Sequence, residues 1–404
     1  MKMIEGGVTA AKGFSAGGMY CGIRKNKTKP DLAMIYSSAP CAAAGMYTSN
    51  LVKGAPILVT KRNLANGVAR AVICNSGNAN TCNADGEEKA WRMCEIAGKA
   101  LNIDPSDVIV ASTGVIGQVL PIEPIEETAP LLASSLKGDG SELAARAIMT
   151  TDTVVKEAAA EFTVGGKTVR LGGICKGSGM IHPNMCTMLC FLTTDAAIAA
   201  PVLDKALRGV VAETFNMVSI DGDTSTNDTI TVMANGLAEN PEIQADTPVY
   251  EEFTQALRAI CTDLARKMAK DGEGATKLLV CKVTGAANLA DARTVAKSVI
   301  CSSLLKAAMF GADANWGRVL CAIGYAGTNT DVNRVDVSFR SKAGPIDVGK
   351  NGAGIPFSEE KAKKILTQDE IDILVTLGDG DASAEAYGCD LTYDYVKING
   401  DYRT

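Results

Sequence analysis

The sequence predicts an α/β fold, and three observations predict it. Short apolar runs alternate with longer stretches whose apolar residues recur at helical spacing. The 404-residue length suits two packed units, or one large fold built from related halves. Glycine is abundant, 40 residues, and clusters at the ends of the apolar runs, where tight turns bring backbone close to a ligand. With 47% hydrophobic residues, a chain of this length fills a core without disulfides or metal.

Taken in order, Ala71 to Cys74 reads as a strand running into a polar turn, Asn75-Ser76-Gly77-Asn78. A helix follows from Gly86 to Leu101, with Asp85 and Glu88 placed as a capping box and Trp91, Cys94, Gly98 and Leu101 on one face. Val108 to Val110 is a second strand, ending at Ser112-Thr113-Gly114. Phe162 to Val164 and Thr168 to Leu171 flank Gly165-Gly166, a two-residue hairpin signal. Thr187 to Leu192 reads as a fully buried strand. Thr247 to Lys270 is the clearest amphipathic helix, with Phe253, Leu257, Ile260, Leu264 and Met268 at helical spacing. Leu278 to Val283 is a strand, Ala290 to Phe310 a helix, and Ile371 to Leu377 alternates as a half-buried strand does. No short-period repeat appears, which excludes a solenoid.

Composition removes several function classes. The formal charge of −6 is spread without a basic block, against nucleic acid as a partner. No apolar run reaches the roughly 18 residues of a membrane helix, and the N-terminus MKMIEGGVTAAKGF has no basic start followed by an apolar core. A cytoplasmic protein is expected. The thirteen cysteines are odd in number and scattered, without C-x-x-C, as buried thiols in a reducing compartment are.

The single histidine, His182, is the most restrictive fact. It excludes a multi-histidine metal site, and a His-based triad is largely excluded on count alone. Lying before Pro183, His182 is biased to an extended backbone, and a structural role is preferred over a general base. A nucleophile here needs another activator, such as the α-amine of a newly exposed N-terminal threonine, whose pKa near ~8 suits a base. The segment from Lys176 to Leu189, KGSGMIHPNMCTML, offers a glycine-rich, proline-containing loop leading into an apolar strand that begins at Thr187. On spacing alone, KGSG reads equally as a phosphate-cradling loop and Thr187 as an ordinary strand residue, although KGSGM does not satisfy the P-loop pattern.

The longer stretch KGSGMIHPNMCTMLCFLTTDA resembles the cleavage-site motif of the ornithine acetyltransferase (ArgJ) family. Six further segments resemble it in the same order: NSGNANTC (75–82), ASTGVIGQVLP (111–121), IDGDTSTNDT (220–229), DGEGATK (271–277), GADANWGR (311–318) and GCDLTYDYVKINGDYRT (388–404). The resemblance implies a DmpA/ArgJ-like α/β fold of layered sheets and helices, cut by the protein itself between Cys186 and Thr187. The products would be an N-terminal piece, 1–186, and a C-terminal piece, 187–404, intertwined and assembled as a heterotetramer of two copies of each.

Thr187 is then the nucleophile, and Thr113 with Gly114 the oxyanion hole. Thr150, Lys176, Thr187, Glu273, Asn399 and Thr404 are the implied substrate contacts. Lys176 would pair with an α-carboxylate and Glu273 with an ammonium, and placing Asn399 and Thr404 in the site requires an ordered tail, helped by Tyr393 and Tyr395. The implied reaction moves acetyl from N-acetylornithine to glutamate, with no metal and no cofactor. No sequence feature separates this enzyme from a bifunctional one with acetyl-CoA as co-substrate. The other enzyme reading is a self-processing N-terminal-threonine aminopeptidase or amidase; a nucleotide-binding module without catalysis is the reading from another class. Two departures from the family pattern stand out: Cys186 where alanine is common, and Ala312 where a charged residue is common.

Overall fold

The structure, a computed structural model, describes residues 1–182 and 188–401. Cys186, Thr187 and Thr404 therefore lie outside the described residues. Among the described residues, nine strands form one sheet and seven a second. Across the first sheet the order is Lys2–Ile4, Lys156–Val164, Lys167–Lys176, Leu189–Thr194, Thr229–Ala234, Leu32–Tyr47, Val68–Asn78 and Val108–Val115, with Phe14–Met19 also paired to Leu32–Tyr47. Leu189–Thr194 runs parallel to Thr229–Ala234, and Val68–Asn78 parallel to Val108–Val115. The second sheet runs Ala353–Gly354, Gly344–Lys350, Asp336–Ser341, Glu370–Thr376, Leu278–Ala286, Ala382–Cys389, Val218–Ser219.

The expected layering of sheets and helices is present, and one helix shows why. Pro248–Lys270 turns Phe253, Leu257, Ile260, Leu264 and Met268 into a core that holds Leu192 and Val232 from the first sheet and Leu278 and Val280 from the second. Apolar residues at 3–4-residue spacing make a stripe; here the stripe is wide enough to serve two sheets. Thr247 caps the helix by accepting from the Tyr250 amide. The opposite face of the second sheet packs Leu279, Cys281 and Val283 on the helix Leu289–Cys301 through Val295 and Val299. The boundary between 1–186 and 187–404 runs through the first sheet, because Leu189–Thr194 and Thr229–Ala234 lie between Lys167–Lys176 and Leu32–Tyr47.

Several expectations need correction. The helix Gly86–Leu101 has the expected bounds, and of its expected face Cys94 and Gly98 are buried while Trp91 and Leu101 pack against the core partly exposed; the stripe also takes in Ala90, Met93 and Ala97, and the Asp85 side chain makes no capping bond. Asn75 to Asn78 is not a turn. The strand Val68–Asn78 continues through it, since its polar groups find partners inside: Ser112 Oγ donates to Asn75 Oδ1, and Ser76 Oγ to the Ala147 carbonyl. The helix expected over Ala290 to Phe310 is two, Leu289–Cys301 and Ser303–Phe310, because the Ser302 hydroxyl accepts from the Leu305 amide and starts a new helix. Of the buried strand expected from Thr187, the described part is Leu189–Thr194, every residue of which is buried. The hairpin over Gly165-Gly166 forms, both glycines having positive φ.

Candidate active site

Six residues named from the sequence, Thr113, Gly114, Thr150, Lys176, Glu273 and Asn399, line one cavity of about 290 Å³. They come from five separate stretches of chain. The other two, Thr187 and Thr404, lie outside the described residues; Met188, the first described residue past the junction, is tied through its carbonyl to the Thr229 amide at 2.8 Å. Asn227, two residues before Thr229, lines the same cavity.

Thr113 and Gly114 lie near the end of the strand Val108–Val115, where its parallel pairing with Val68–Asn78 is irregular: Asn78 faces both Thr113 and Val115. A bulge of this kind takes one residue out of the regular ladder. Gly114 has φ +135°, and a Cβ there would fall 2.3 Å from the Gly77 carbonyl carbon, so only glycine fits. The Ser112 carbonyl just before accepts from Asn227 Nδ2 at 2.9 Å. A strand end that carries a hydroxyl and a backbone N–H in succession has the donor types that a developing oxyanion requires.

Beside this corner sits a buried network of charge. Asp152 accepts from the amides of Thr150 (2.9 Å) and Gly177 (2.7 Å), and its carboxylate meets Lys156 Nζ at 2.7 Å and Lys176 Nζ at 3.9 Å. Lys156 also reaches Asp271 at 2.5 Å. Burial alone would raise the Asp152 pKa, but the Lys176 and Lys156 ammoniums outweigh it and hold the carboxyl well below the usual range. The strand Lys167–Lys176 thus places Lys176 at the cavity wall, with its Nζ 3.9 Å from the Asp152 carboxylate. Asp228 is the opposite case: fully buried, with Oδ2 lacking a hydrogen-bond partner, and burial pushes its carboxyl well above the usual range.

On the far side, Glu273 is 8% exposed and packs against Gly179, where a Cβ would fall 2.4 Å from the Glu273 carboxyl. Its Oε2 accepts from Asn399 Nδ2 at 2.7 Å. The tail is ordered this far, as a helix, Tyr393–Gly400, rather than an alternating stretch. Thr392 Oγ1 donates to the Gly274 carbonyl, and Tyr393 stacks edge-on to Phe310 with centroids 5.6 Å apart.

The loop after Lys176 is anchored from one side. Asp221 accepts from the amides of Met180 (2.6 Å) and Ile181 (2.8 Å), and Thr224 Oγ1 donates to the His182 carbonyl at 2.9 Å. Met180 holds a left-handed backbone, φ +55°, uncommon for a non-glycine residue. His182 is not among the residues lining the cavity; its Nδ1 lies 3.1 Å from Ser219 Oγ, and burial, with Lys297 nearby, lowers its pKa from 6.5 to about 4. A neutral ring held by a serine is the structural role preferred from its position.

The sequence did not single out Asp152, Ser178 or Asn227. Thr151, which lines the cavity, has its Oγ1 2.7 Å from Ser178 Oγ, and nothing in the sequence pairs the two. Asn227 lay inside a family-like segment, but nothing local marks its long-range partners. Among the described residues no group of three or more His, Cys, Asp or Glu side chains is placed to hold a metal ion, and no helix is long and apolar enough to cross a membrane.

Known proteins resemble this chain over its whole length. The model of the ArgJ family matches residues 15–404. The arginine biosynthesis bifunctional protein ArgJ of Symbiobacterium thermophilum is 49% identical, over 100% of both chains. That of Bacillus subtilis is 46% identical, over 99% of this chain and 97% of its own. A crystal structure of arginine biosynthesis bifunctional protein argJ from Bacillus halodurans is 47% identical, with a TM-score of 0.50, covering 52% of this chain and 98% of that one. A full-length match at this identity leaves one conclusion: the chain belongs to the ArgJ family.

Proposed function

We propose that this chain is an acetyltransferase of arginine biosynthesis that moves the acetyl group of N2-acetyl-L-ornithine to L-glutamate through an acetyl ester on Thr187. The observation that carries the proposal is the convergence, in one cavity, of Thr113 and Gly114 at a strand end, Lys176 and the buried Glu273, from distant parts of the chain. The relatives' name, arginine biosynthesis bifunctional protein, supplies the pathway.

The chain first cuts itself between Cys186 and Thr187. The freed α-amine of Thr187 takes the proton of its own hydroxyl, and the oxygen attacks the acetyl carbonyl carbon. The π pair moves onto the carbonyl oxygen, which accepts from the Thr113 hydroxyl and the Gly114 N–H. Collapse breaks the C–N bond, the proton returns to the departing nitrogen, and ornithine leaves. The amine of glutamate then attacks the ester and restores Thr187. Lys176 pairs with the α-carboxylate, and Glu273, held by Asn399, with the ornithine side-chain ammonium; Thr150 and Thr404 complete the substrate shell. Each step is acyl transfer between protein and substrate, so the cycle as proposed uses no cofactor. The word bifunctional in the relatives' names extends the proposal to acetyl-CoA as a second donor to the same threonine. The pieces assemble as two copies of 1–186 and two of 187–404, in the cytoplasm. The solved argJ chain, which spans about half of this one, is of the size such a cut leaves.

Denaturing mass spectrometry of the expressed protein is expected to find the two pieces, and native mass spectrometry two copies of each. Thr187→Ala is expected to stay uncut, folded and inactive. Acetyl transfer from acetylornithine and from acetyl-CoA is then measured in parallel with release of free acetate. Full activity of an intact chain would sink the threonine mechanism. Acetate release in place of transfer to glutamate would favour an amidase.

A further inference from the structure

The buried amide of Asn227 has all four of its hydrogen-bonding positions filled, and the partners come from both sides of the 186/187 boundary. Nδ2 donates to the Ala79 carbonyl at 2.6 Å and the Ser112 carbonyl at 2.9 Å; Oδ1 accepts from Thr81 Oγ1 and Thr226 Oγ1, each at 2.6 Å. Asn227 is 7% exposed, and a Cβ on Gly54 would fall 2.6 Å from its Nδ2, so the amide is also packed from behind. Two carbonyls on one side and two hydroxyls on the other fix which end is nitrogen.

The Ser112 carbonyl belongs to the planar peptide unit that carries the Thr113 N–H, so holding that oxygen sets the plane from which Thr113 and Gly114 project. The Ala79 carbonyl is held by the same nitrogen, and Ala79 donates its own amide to Val115 across the bulge at 3.0 Å. Asn227 itself precedes Thr229, whose amide binds the Met188 carbonyl. One side chain therefore ties the oxyanion corner, in 1–186, to the start of the strand pair Leu189–Thr194 and Thr229–Ala234, in 187–404.

We propose that Asn227 is a positioning residue that fixes the oxyanion corner relative to the strand following the nucleophile, acting through the Ser112–Thr113 peptide. The proposal rests on the acetyltransferase reading above and on Thr113 and Gly114 as oxyanion donors. A displacement of about 1 Å at a reacting centre costs on the order of 100-fold in rate, and an oxyanion donor contributes about 100- to 1,000-fold. Asn227 is expected to act on kcat and to leave ground-state binding of acetylornithine nearly unchanged.

The test uses the self-cut protein and four variants: Asn227→Asp, Thr113→Ala, the two combined, and Thr81→Val. Asn227→Asp keeps the shape and turns the donor side into an acceptor facing two carbonyls. It is expected to lower kcat by about 100-fold with KM for acetylornithine changed less than about 3-fold. In a Thr113→Ala background the same substitution is expected to cost less than about 5-fold, because the corner it holds has already lost a donor. Full kcat in Asn227→Asp, a loss confined to KM, or additive losses in the double variant each overturns the proposal. An unchanged kcat in Thr113→Ala alone sinks the oxyanion reading instead. Should Asn227→Asp fail to fold or to cut itself, Thr81→Val, which removes one hydroxyl from Oδ1 and does not line the cavity, carries the test. A fall in kcat of about 3- to 10-fold at constant KM is expected; no fall overturns the proposal.

Discussion

The second sheet and the strand ends around the cavity bury residues of opposite kinds. In Glu370–Thr376 and Asp336–Ser341, Ile371, Ile373, Val375, Val337 and Phe339 are buried and alternate with more exposed residues, all polar but Leu374. Around the cavity, Asn75, Ser76, Asn78, Thr81, Ser112, Asp152 and Asn227 are buried instead. Both sets of residues are buried, so burial does not separate them. What does is how each buried group is compensated: by removing apolar area from water in the sheet, and by one-to-one hydrogen bonds at the cavity, where a single lost partner leaves a desolvated group behind. The first kind of burial tolerates substitution gradually and affects stability. The second fails at single atoms and affects chemistry.

Gly114→Ala should break this contrast hardest. With φ +135° and backbone 2.3 Å from any Cβ, the corner must move, and a loss in kcat of at least about 1,000-fold is expected in the steady-state acetyl-transfer assay. A loss below tenfold would mean that Gly114 is not an oxyanion donor. Phe339→Ala, fully buried in the second sheet, is expected to cost about 3–5 kcal/mol in denaturant unfolding while kcat stays within twofold. A matched loss of activity would show the two regions to be coupled. Asn399→Ala removes the hydrogen bond to Glu273 in the cavity lining and is expected to raise KM for acetylornithine about 5- to 10-fold with little change in kcat.

The smallest effect concerns His182. Its folded pKa, about 4, lies below the ordinary 6.5, so the folded state prefers the neutral ring. The stability this contributes is fully present above pH 6.5 and is lost as pH falls from 6.5 towards 4. Because the chain has one histidine, His182→Gln should flatten the fall in Tm across that window. Parallel Tm curves for the two proteins would refute the assignment.

The same contrast explains what was legible in the sequence. The helix Pro248–Lys270 and the strand Glu370–Thr376 follow apolar periods of 3.6 and 2, and their bounds came within a residue or two. The break at Ser302 did not show, because apolar residues continue on both sides of a cap that only geometry reveals. Asn75 to Asn78 read as a turn because polar residues in a strand are rarely buried, and here they are. At the site, the family resemblance named six residues that the structure gathers, five of them inside the quoted segments and Thr150 outside them. It could not name Asn227 or Asp152 as positioning groups, since Asn227 meets Ala79 and Ser112 across 148 and 115 residues and Asp152 meets the Gly177 amide across 25. Local pattern carries no record of such pairings.

The threading of Leu189–Thr194 and Thr229–Ala234 between Lys167–Lys176 and Leu32–Tyr47 has a kinetic consequence. In an uncut chain that sheet closes within one molecule, and its refolding rate is independent of concentration. Once the chain is cut, the same sheet needs strands from two molecules, and closing it becomes a second-order event. After the cut proposed above, two strand ladders would hold the pieces together, yet denatured cut protein should recover more slowly with each dilution, whereas Thr187→Ala should recover at a constant rate. The cut, made once, would turn a reversible folding reaction into an assembly.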